Sequence, residues 1–466
     1  MRMPKIVVVG AGISGLATAY ALQNRLPDAD ILVLESASRI GGTIWSERRD
    51  GFLVEHGPNG FLDTKPSTVQ LSLALGLNAE LVSALPAARH RYLFHKDRLM
   101  QLPEGFWSFL TTPLLSWRSK WAVLTEGFRP AKRDDADESV HDFFCRRTTA
   151  EIAETLADAL VTGIHAGDPK LLSMPAAFPR LASLEKEYGS ILKGMKHLAR
   201  ERRRQAQQAG RSPSAGSRIL SFRDGLRTLI ETLRTRLKTP PVLGVEVRRI
   251  LLDAVGQWAI QGPGQDRWTA DVVILACPAF RQAEIVADLD AELAELLGGI
   301  AYAPAVVVAI GYRREDVPHS LDGFGHIVPQ RLGADLLGSQ WCSSIFPDRA
   351  PPGCVLLRAI CGGWHRQDLA SWEDARLVEA VRHHYRQVLG IAAAPVFHQV
   401  VRWPRGIPQY HLGHRERVRR IEERAQCHRG LFLTGNALHG VAMNDCTEQA
   451  EITADRVAAY LAAAGR

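Results

Sequence analysis

Apolar and polar positions along this chain change period several times, and each change marks an element. An apolar, β-branched run from Ile6 to Val9 leads through a glycine turn into an amphipathic stretch from Leu16 to Leu26. A second apolar run, Ile31 to Leu34, ends on Glu35, and a third, Phe52 to Glu55, opens into small residues. Short continuous apolar runs read as buried strands, and a 3.6-residue period reads as helix. From residue 76 to 215 helix-like segments dominate. Within them Thr148-x-x-Glu151 predicts a capping box opening a helix to about Val161. Leu184 to Gln208 reads as one long basic helix, ended by a flexible Gly210 to Gly216 segment. Strand signals return at Val242 to Ile250, Trp258 to Ile260 and Asp271 to Ala276. Three more follow at Ala305 to Ile310, Gly325 to Val328 and Val355 to Ile360. A buried strand over Gly430 to Asn436 and a helix from about Thr447 to Leu461 close the chain.

The glycine turn gives the first element its chemistry. Gly10-Ala11-Gly12-Ile13-Ser14-Gly15 follows a strand and opens a helix, and Glu35 stands twenty positions further on at the tip of the next strand. That is the context a dinucleotide fingerprint demands: glycines admit a pyrophosphate to a helix N-terminus, and the acid takes a ribose hydroxyl. Glu35-Ser36-Ala37-Ser38-Arg39-Ile40-Gly41-Gly42-Thr43 extends it. An Arg that can meet phosphate charge and a second glycine pair favour FAD over NAD, although Gly41-Gly42 alone could be an ordinary tight turn. Gly57-Pro58-Asn59-Gly60 is a small-residue loop suited to lie under a flavin ring. A C-terminal helix starting beneath the flavin pyrimidine would place its positive end where negative charge develops. Capping of that helix by Asn444 or Asp445 is the plainer account.

A chain of 466 residues calls for two or three domains. The expected class is α/β (α+β overall): a discontinuous Rossmann-like FAD-binding domain, a mixed-sheet substrate domain and a helical insert. Residues 1–75, 216–284 and 400–466 are assigned to the first. Residues 76–92 and 285–399 are assigned to the second, and 93–215 to the insert. With 46% hydrophobic and 23% charged residues the composition is that of a soluble globular protein. The first strand begins too early to leave room for a leader, and no apolar stretch approaches about 18 residues. A cytoplasmic protein is expected. Seven scattered cysteines without a CxxC pair argue against metal clusters and disulfides, and packing is the default role of Cys277 and Cys446. Of the net charge of +7, much is crowded between Lys193 and Arg218. No nucleic-acid motif accompanies it, which leaves a solvated helix face or a surface for anionic substrate or lipid. The segment from Gly105 to Trp121 mixes Trp, Phe, Leu and basic residues, as an interfacial segment or a pocket wall would.

Further stretches carry a resemblance when joined to the glycine motifs. They are Glu55-His-Gly-Pro-Asn59, Gly163-Ile-His-Ala-Gly167-Asp168-Pro-x-x-Leu-Ser173, Phe222-x-x-Gly225-Leu226 and Gly323-Phe-Gly325. Phe346-Pro-Asp-Arg-Ala, Arg402-Trp403-Pro-x-Gly-Ile-Pro-Gln409-Tyr410 and Gly440-Val-x-x-Asn-Asp445-Cys446 complete the set. Nearly end to end, the chain resembles the protoporphyrinogen oxidase family, within the FAD-dependent amine oxidases and phytoene desaturases. The resemblance implies non-covalent FAD on Gly10 to Gly15, Glu35, Ser36, Arg39, Gly42, Thr43 and Gly57 to Gly60. Val247 would bracket the adenine, Trp403 would lie near the flavin, and Gly435 with Val441, Ala442 and Met443 would line its pyrimidine edge. Arg91 would pair with a substrate propionate, for which a bidentate guanidinium is suited; a surface ion pair is the plainer role. Ile327, Gln340 and Ile360 would sandwich the macrocycle. The carbonyl of Gly167 would face the pyrrole N–H groups, and Asn59 is the nearest candidate for steering that side.

Three departures stand out. Gln340 replaces an apolar residue, Ile360 sits where an aromatic often stacks, and Ala442 stands where a second glycine is usual. The activity implied is six-electron oxidation of protoporphyrinogen IX by three rounds of hydride transfer, with oxygen as acceptor and no metal. Coproporphyrinogen III is the alternative substrate, and its four carboxylates would want further cations from His90, Arg89 or Arg180. More distant readings are an amine oxidase, a carotenoid desaturase or a non-catalytic prenyl-protein carrier. A homodimer and a peripheral contact with the inner face of the membrane complete the expectations.

Overall fold

The computed structural model describes residues 3–208, 218–254 and 256–465. Two sheets organise it. The first is parallel and five-stranded, in the order Val242–Leu243, Asp30–Glu35, Lys5–Val9, Val272–Leu275 and Leu431–Leu433. Its strands come from three distant parts of the chain, and the central ones, Ile6 to Val9 and Val272 to Leu275, are buried on both faces. Continuous apolar strands require this, because crossover connections place other elements on each side of a parallel sheet. Helices Ile13–Arg25 and Met443–Ala463 pack with one face through Leu16, Leu22, Ala450, Ala454 and Val457. The opposite face is covered by Trp258, Ile260, Ile285 and Leu297. This is a Rossmann-like α/β fold.

The second sheet is mixed and seven-stranded. Its order is Phe397–Pro408, Tyr302–Arg313, Cys354–Gly362, Leu336–Trp341, Gly325–Ile327, Arg91–His95 and Arg98–Gln101. Side chains alternate between its faces. One face is sealed: Val306, Val308, Leu357, Ala359 and Cys361 pack beneath helix Asp374–Leu389 through Leu377, Val381 and Tyr385. The other face meets the first unit and a helical layer formed by residues 106–208. Residues 400–408 belong to a strand of this second sheet.

Several local expectations are corrected. The predicted capping box at Thr148 is one residue early. Thr149 is the N-cap, and Thr148 ends the preceding helix with its hydroxyl donating to the Phe144 carbonyl at 2.6 Å. Glu151 reaches instead to Ser116, capping a different helix from outside. The helix then runs past Val161 to His165, through a π-turn at Ala153–Ala157. The basic segment is two helices, Pro179–Tyr188 and Ile191–Gln208, because Gly189 adopts φ +70° and closes the first as a left-handed C-cap. The Gly210 to Gly216 segment lies outside the described residues. Val242 to Ile250 is two short strands, Val242–Leu243 and Arg249–Leu252, in different sheets. The first helix begins at Ile13, without a side-chain cap, and the last at Met443, where Asp445 reaches back to the Ala442 N–H; they start three and four residues earlier than expected.

Candidate active site

The glycine turn is built around one narrow approach. A Cβ on Gly15 would stand 1.9 Å from the Gly10 carbonyl oxygen, and one on Gly57 would stand 2.1 Å from that of Thr43. These positions are closed by the protein itself. A Cβ on Gly12 would meet nothing within 4 Å. Gly12 therefore faces open space at the N-terminus of helix Ile13–Arg25, an end with no side-chain cap and no acidic residue in its first turn. Its free N–H groups and dipole are left for an anion. The second glycine pair lies against the first: Gly41 bridges Gly12, and its N–H donates to the Ala11 carbonyl at 2.8 Å. A Cβ on Gly42, at φ +57°, would stand 3.5 Å from Gly12 Cα. Spacing placed these two turns thirty residues apart, and the fold stacks them.

Glu35 closes the far side, accepting from the N–H groups of Ala11 at 2.7 Å and Ala37 at 2.8 Å, with the Ser36 hydroxyl beside it. Val247 is buried near the same strand end, in the loop whose Val245 N–H donates to the Glu35 carbonyl. Arg39 lies with its guanidinium 4.8 Å from the Trp45 ring. Helix Met443–Ala463 brings its N-terminus alongside that of Ile13–Arg25, and Cys446 contacts Ser14. Asp445 accepts from Ala442 N–H at 3.1 Å and pairs with Lys65 at 2.5 Å, so the capping account holds for this helix. Gly435 and Gly440 turn the chain toward it with φ of +128° and +117°. The Tyr410 hydroxyl, donating to the Asn436 carbonyl and accepting from Gly440 N–H, holds that turn. Val441 packs against the helical layer. Burial raises the Cys277 thiol to about 12 and the Cys446 thiol to about 11, leaving both protonated packing groups.

The loop Gly57–Gly60 joins this cradle to the open face of the second sheet. Asn59 is buried, and its Nδ2 has no hydrogen-bond partner among the described residues. Trp403 Nε1 donates to the His56 carbonyl at 2.8 Å. Arg358 donates from Nε to the Glu55 carbonyl at 2.9 Å, from another nitrogen to the Gly57 carbonyl, and from a third to Gln340 Oε1 at 2.7 Å. Arg358 was absent from the sequence expectations. Its signal was an arginine inside the apolar run Val355 to Ile360, a position where charge is rarely tolerated without partners. Burial lowers its pKa and raises that of Glu55, whose carboxyl is enclosed by the Ser46 hydroxyl and the Leu226 N–H. Gly225, at φ +86°, lets that chain pass: a Cβ there would stand 2.4 Å from Ser46 Oγ.

Strand register brings the expected substrate residues onto this one face. Arg91 pairs with Gly325, Gly325 with Gln340, and Gln340 with Arg358, across four strands. Two residues along, Ile327 pairs with Gly338 and Gly338 with Ile360. Ile327, Gln340 and Ile360 are half-buried, whereas His326, Ser339 and Ala359, which alternate with them, are sealed on the back. Helix Asp158–His165 covers one end, where a Cβ on Gly163 would stand 3.1 Å from Ile327 Cδ1. Gly167 follows that helix, and its carbonyl accepts from Gln330 Nε2, which leaves one lone pair unused. Arg91 has no ion-pair partner among the described residues. It lies 5.3 Å from the Phe324 ring, and desolvation draws its pKa down. His90 beside it is already matched by Asp322 and Glu104, at 3.4 and 3.7 Å. Arg89 and Arg180 are exposed, as Arg91 is.

An arginine without an acid therefore stands across an open sheet face from an uncapped helix end in a glycine cradle. Known proteins share this frame. The family model for flavin-containing amine oxidoreductases matches residues 13–458. The chloroplastic protoporphyrinogen oxidase of Oryza sativa is 33% identical, over 98% of this chain and 88% of its own. The coproporphyrinogen III oxidase of Bacillus subtilis is 28% identical over 98% of both. A crystal structure from Exiguobacterium sp. 255-15, provisionally named a protoporphyrinogen oxidase, superposes with a TM-score of 0.84 at 26% identity, over 98% of this chain and 99% of its own. The residues of the cradle fit FAD: an open Gly12, an uncapped helix end and the orphaned Asn59 amide. The chain belongs to the protoporphyrinogen oxidase family of FAD-dependent, flavin-containing amine oxidoreductases.

Proposed function

We propose that the protein oxidises protoporphyrinogen IX to protoporphyrin IX in tetrapyrrole synthesis, with oxygen as final acceptor. The observation that carries this reading is Arg91, exposed and without an ion-pair partner among the described residues, on the sheet face that the Gly57–Gly60 loop closes. FAD, when bound, supplies the redox chemistry by accepting a hydride in each of three rounds. The chain supplies position and dryness. Ile13 to Gly15 at the helix N-terminus hold the pyrophosphate, Glu35 the ribose, and Val247 the adenine. Arg358 fixes the entry to the Gly57–Gly60 loop by holding the carbonyls of Glu55 and Gly57, and Trp403 holds that of His56 between them. Ile327 and Ile360 offer apolar contact to a flat macrocycle while Arg91 holds one propionate. Asn59, through its Oδ1, and the free lone pair of Gly167 are the acceptors that would meet pyrrole N–H. Water exclusion at such a face strengthens each polar contact.

A carboxylate-richer porphyrinogen is the second reading, favoured by Gln340, a polar residue beside apolar Ile327 and Ile360. Anaerobic mixing of the FAD-loaded protein with protoporphyrinogen and coproporphyrinogen, in parallel, tests the whole proposal. Bleaching of the flavin band by at least one is expected, and bleaching by neither overturns it.

The same proposal includes contact with an anionic membrane surface. Phe106, Trp107, Trp117, Trp121 and Phe128 are exposed in the helical layer, Trp107 and Phe128 by 75% and 88%. Lys193 lies against Gly127, so the basic helix Ile191–Gln208 borders them. Aromatic side chains ringed by Lys and Arg suit a headgroup layer. Among the described residues no helix is long and apolar enough to cross a membrane. Co-sedimentation with anionic vesicles, lost in Trp107→Ser with Trp121→Ser, is the expected result; no sedimentation of the wild type removes the contact.

A further inference from the structure

Gln340 stands on the open sheet face, and its two ends are treated differently; Gln399, the amide further along the same row, already donates to Glu47 at 2.8 Å. Gln340 Oε1 accepts from Arg358 at 2.7 Å. Its Nε2 donates to no group among the described residues, yet the residue is only half-buried, so that –NH2 is not sealed in protein. A guanidinium can only donate, so the contact with Arg358 settles which end of the amide points inward. The Nε2 end is left to donate away from Arg358, on the face shared with Arg91.

Arg358 cannot itself serve a ligand. The residue is 3% exposed and each of its three nitrogens already donates, to Glu55, Gly57 and Gln340. It acts through its neighbour: a positive charge on the amide oxygen polarises the group and strengthens the opposite N–H as a donor. Between Arg91 and Gln340 lies only Gly325, at φ +136°, which presents no side chain. Two strand spacings separate the donors, about 10 Å. They can therefore engage two different arms of one flat substrate. Apolar Ile327 and Ile360 flank the pair on the same face, so an oxygen-bearing arm is the group that Gln340 distinguishes from a hydrocarbon one.

We infer that Gln340, oriented by Arg358, is a specificity-determining residue that hydrogen-bonds a carboxylate on an arm that is hydrocarbon in a two-carboxylate porphyrinogen, and so favours a four-carboxylate one. This rests on the porphyrinogen reading above. Arg358 is a positioning residue in the same device, and the Gly57–Gly60 loop it also holds ties substrate selection to the flavin cradle.

The test compares kcat/KM for coproporphyrinogen III and protoporphyrinogen IX in the FAD-loaded wild type, Gln340→Leu and Gln340→Glu. The ratio of the two values should fall about tenfold in Gln340→Leu, through KM for coproporphyrinogen, as loss of one charge-assisted hydrogen bond implies. It should fall further in Gln340→Glu, which sets a carboxylate against a carboxylate. Flavin absorbance per chain and the melting temperature report whether each variant is folded. If Leu alone misfolds, Gln340→Met, of the same length, takes its place. A ratio unmoved within about twofold in folded variants overturns the role of Gln340 and leaves the porphyrinogen reading intact. A wild type that oxidises neither substrate overturns both.

Discussion

The glycine cradle and the open sheet face do related jobs with different materials. In the cradle the recognising groups are backbone: N–H groups at an uncapped helix end, reached past glycines whose missing side chains leave room. On the sheet the recognising groups are side chains, Arg91, Ile327, Gln340 and Ile360, delivered by four strands that chain order scatters over 270 residues. A backbone site tolerates almost no change at its closed positions and is contiguous in sequence. A side-chain site can be retuned one residue at a time, and Gln340 looks like such a retuning. A constant cofactor fits the first arrangement and a variable substrate the second.

Breaking the cradle should have the largest effect. Gly15→Val puts a Cβ 1.9 Å from the Gly10 carbonyl oxygen, a backbone atom that cannot swing aside. A loss above about 4 kcal/mol and no bound flavin are expected, read by melting temperature and the absorbance of purified protein.

Acid probes the sheet from behind. His384, on helix Asp374–Leu389, meets His326 at 2.9 Å under the sealed face, and burial lowers its pKa to about 4. The unfolded chain takes up that proton near 6.5, so between these values the unfolded state binds more protons. Stability therefore falls as pH drops from about 6.5 to 4 and levels below that. His384 alone should cost about 2 kcal/mol between pH 7 and pH 5. Unfolding midpoints of wild type and His384→Met at the two pH values check this, the variant showing the shallower fall.

On the open face, Arg91→Ala should raise KM for porphyrinogen about tenfold to thirtyfold while flavin content stays at the wild-type level. Equal loss of flavin would mean that the two regions are not separable as described.

The mildest change sharpens the comparison within the cradle. Gly12→Ala adds a methyl that meets no protein atom within 4 Å. The apo protein should melt within about 1 °C of wild type, since surface-like substitutions change stability little. FAD affinity should fall about tenfold, equivalent to about 1.4 kcal/mol. Gly15 and Gly12, three residues apart, would then separate folding from binding.

Much of this was legible in advance. Ile6 to Val9, Gly10 to Gly15 and Ile31 to Glu35 belong to one βαβ unit whose contacts are local, so period and spacing carry it. The stacking of Gly41 on Gly12 was not legible from spacing alone, because it depends on how the chain returns after Glu35. The break at Gly189 was readable as a glycine but was overridden by the basic helical pattern on both sides of it. Arg358 was missed because a lone arginine in an apolar strand gives no hint of its partners, which lie 18 and about 300 residues away.

By itself the sequence determined a parallel βαβ unit, a dinucleotide turn and an FAD-type extension, together with the family those motifs mark. All of these rest on backbone conformations that neighbouring residues impose on each other. Only the tertiary structure decided that Arg91, Ile327, Gln340 and Ile360 share one face, that Arg91 has no ion-pair partner among the described residues, and that Gln340 is turned by Arg358. Those facts follow from strand order and register, which long-range packing sets and no local pattern encodes.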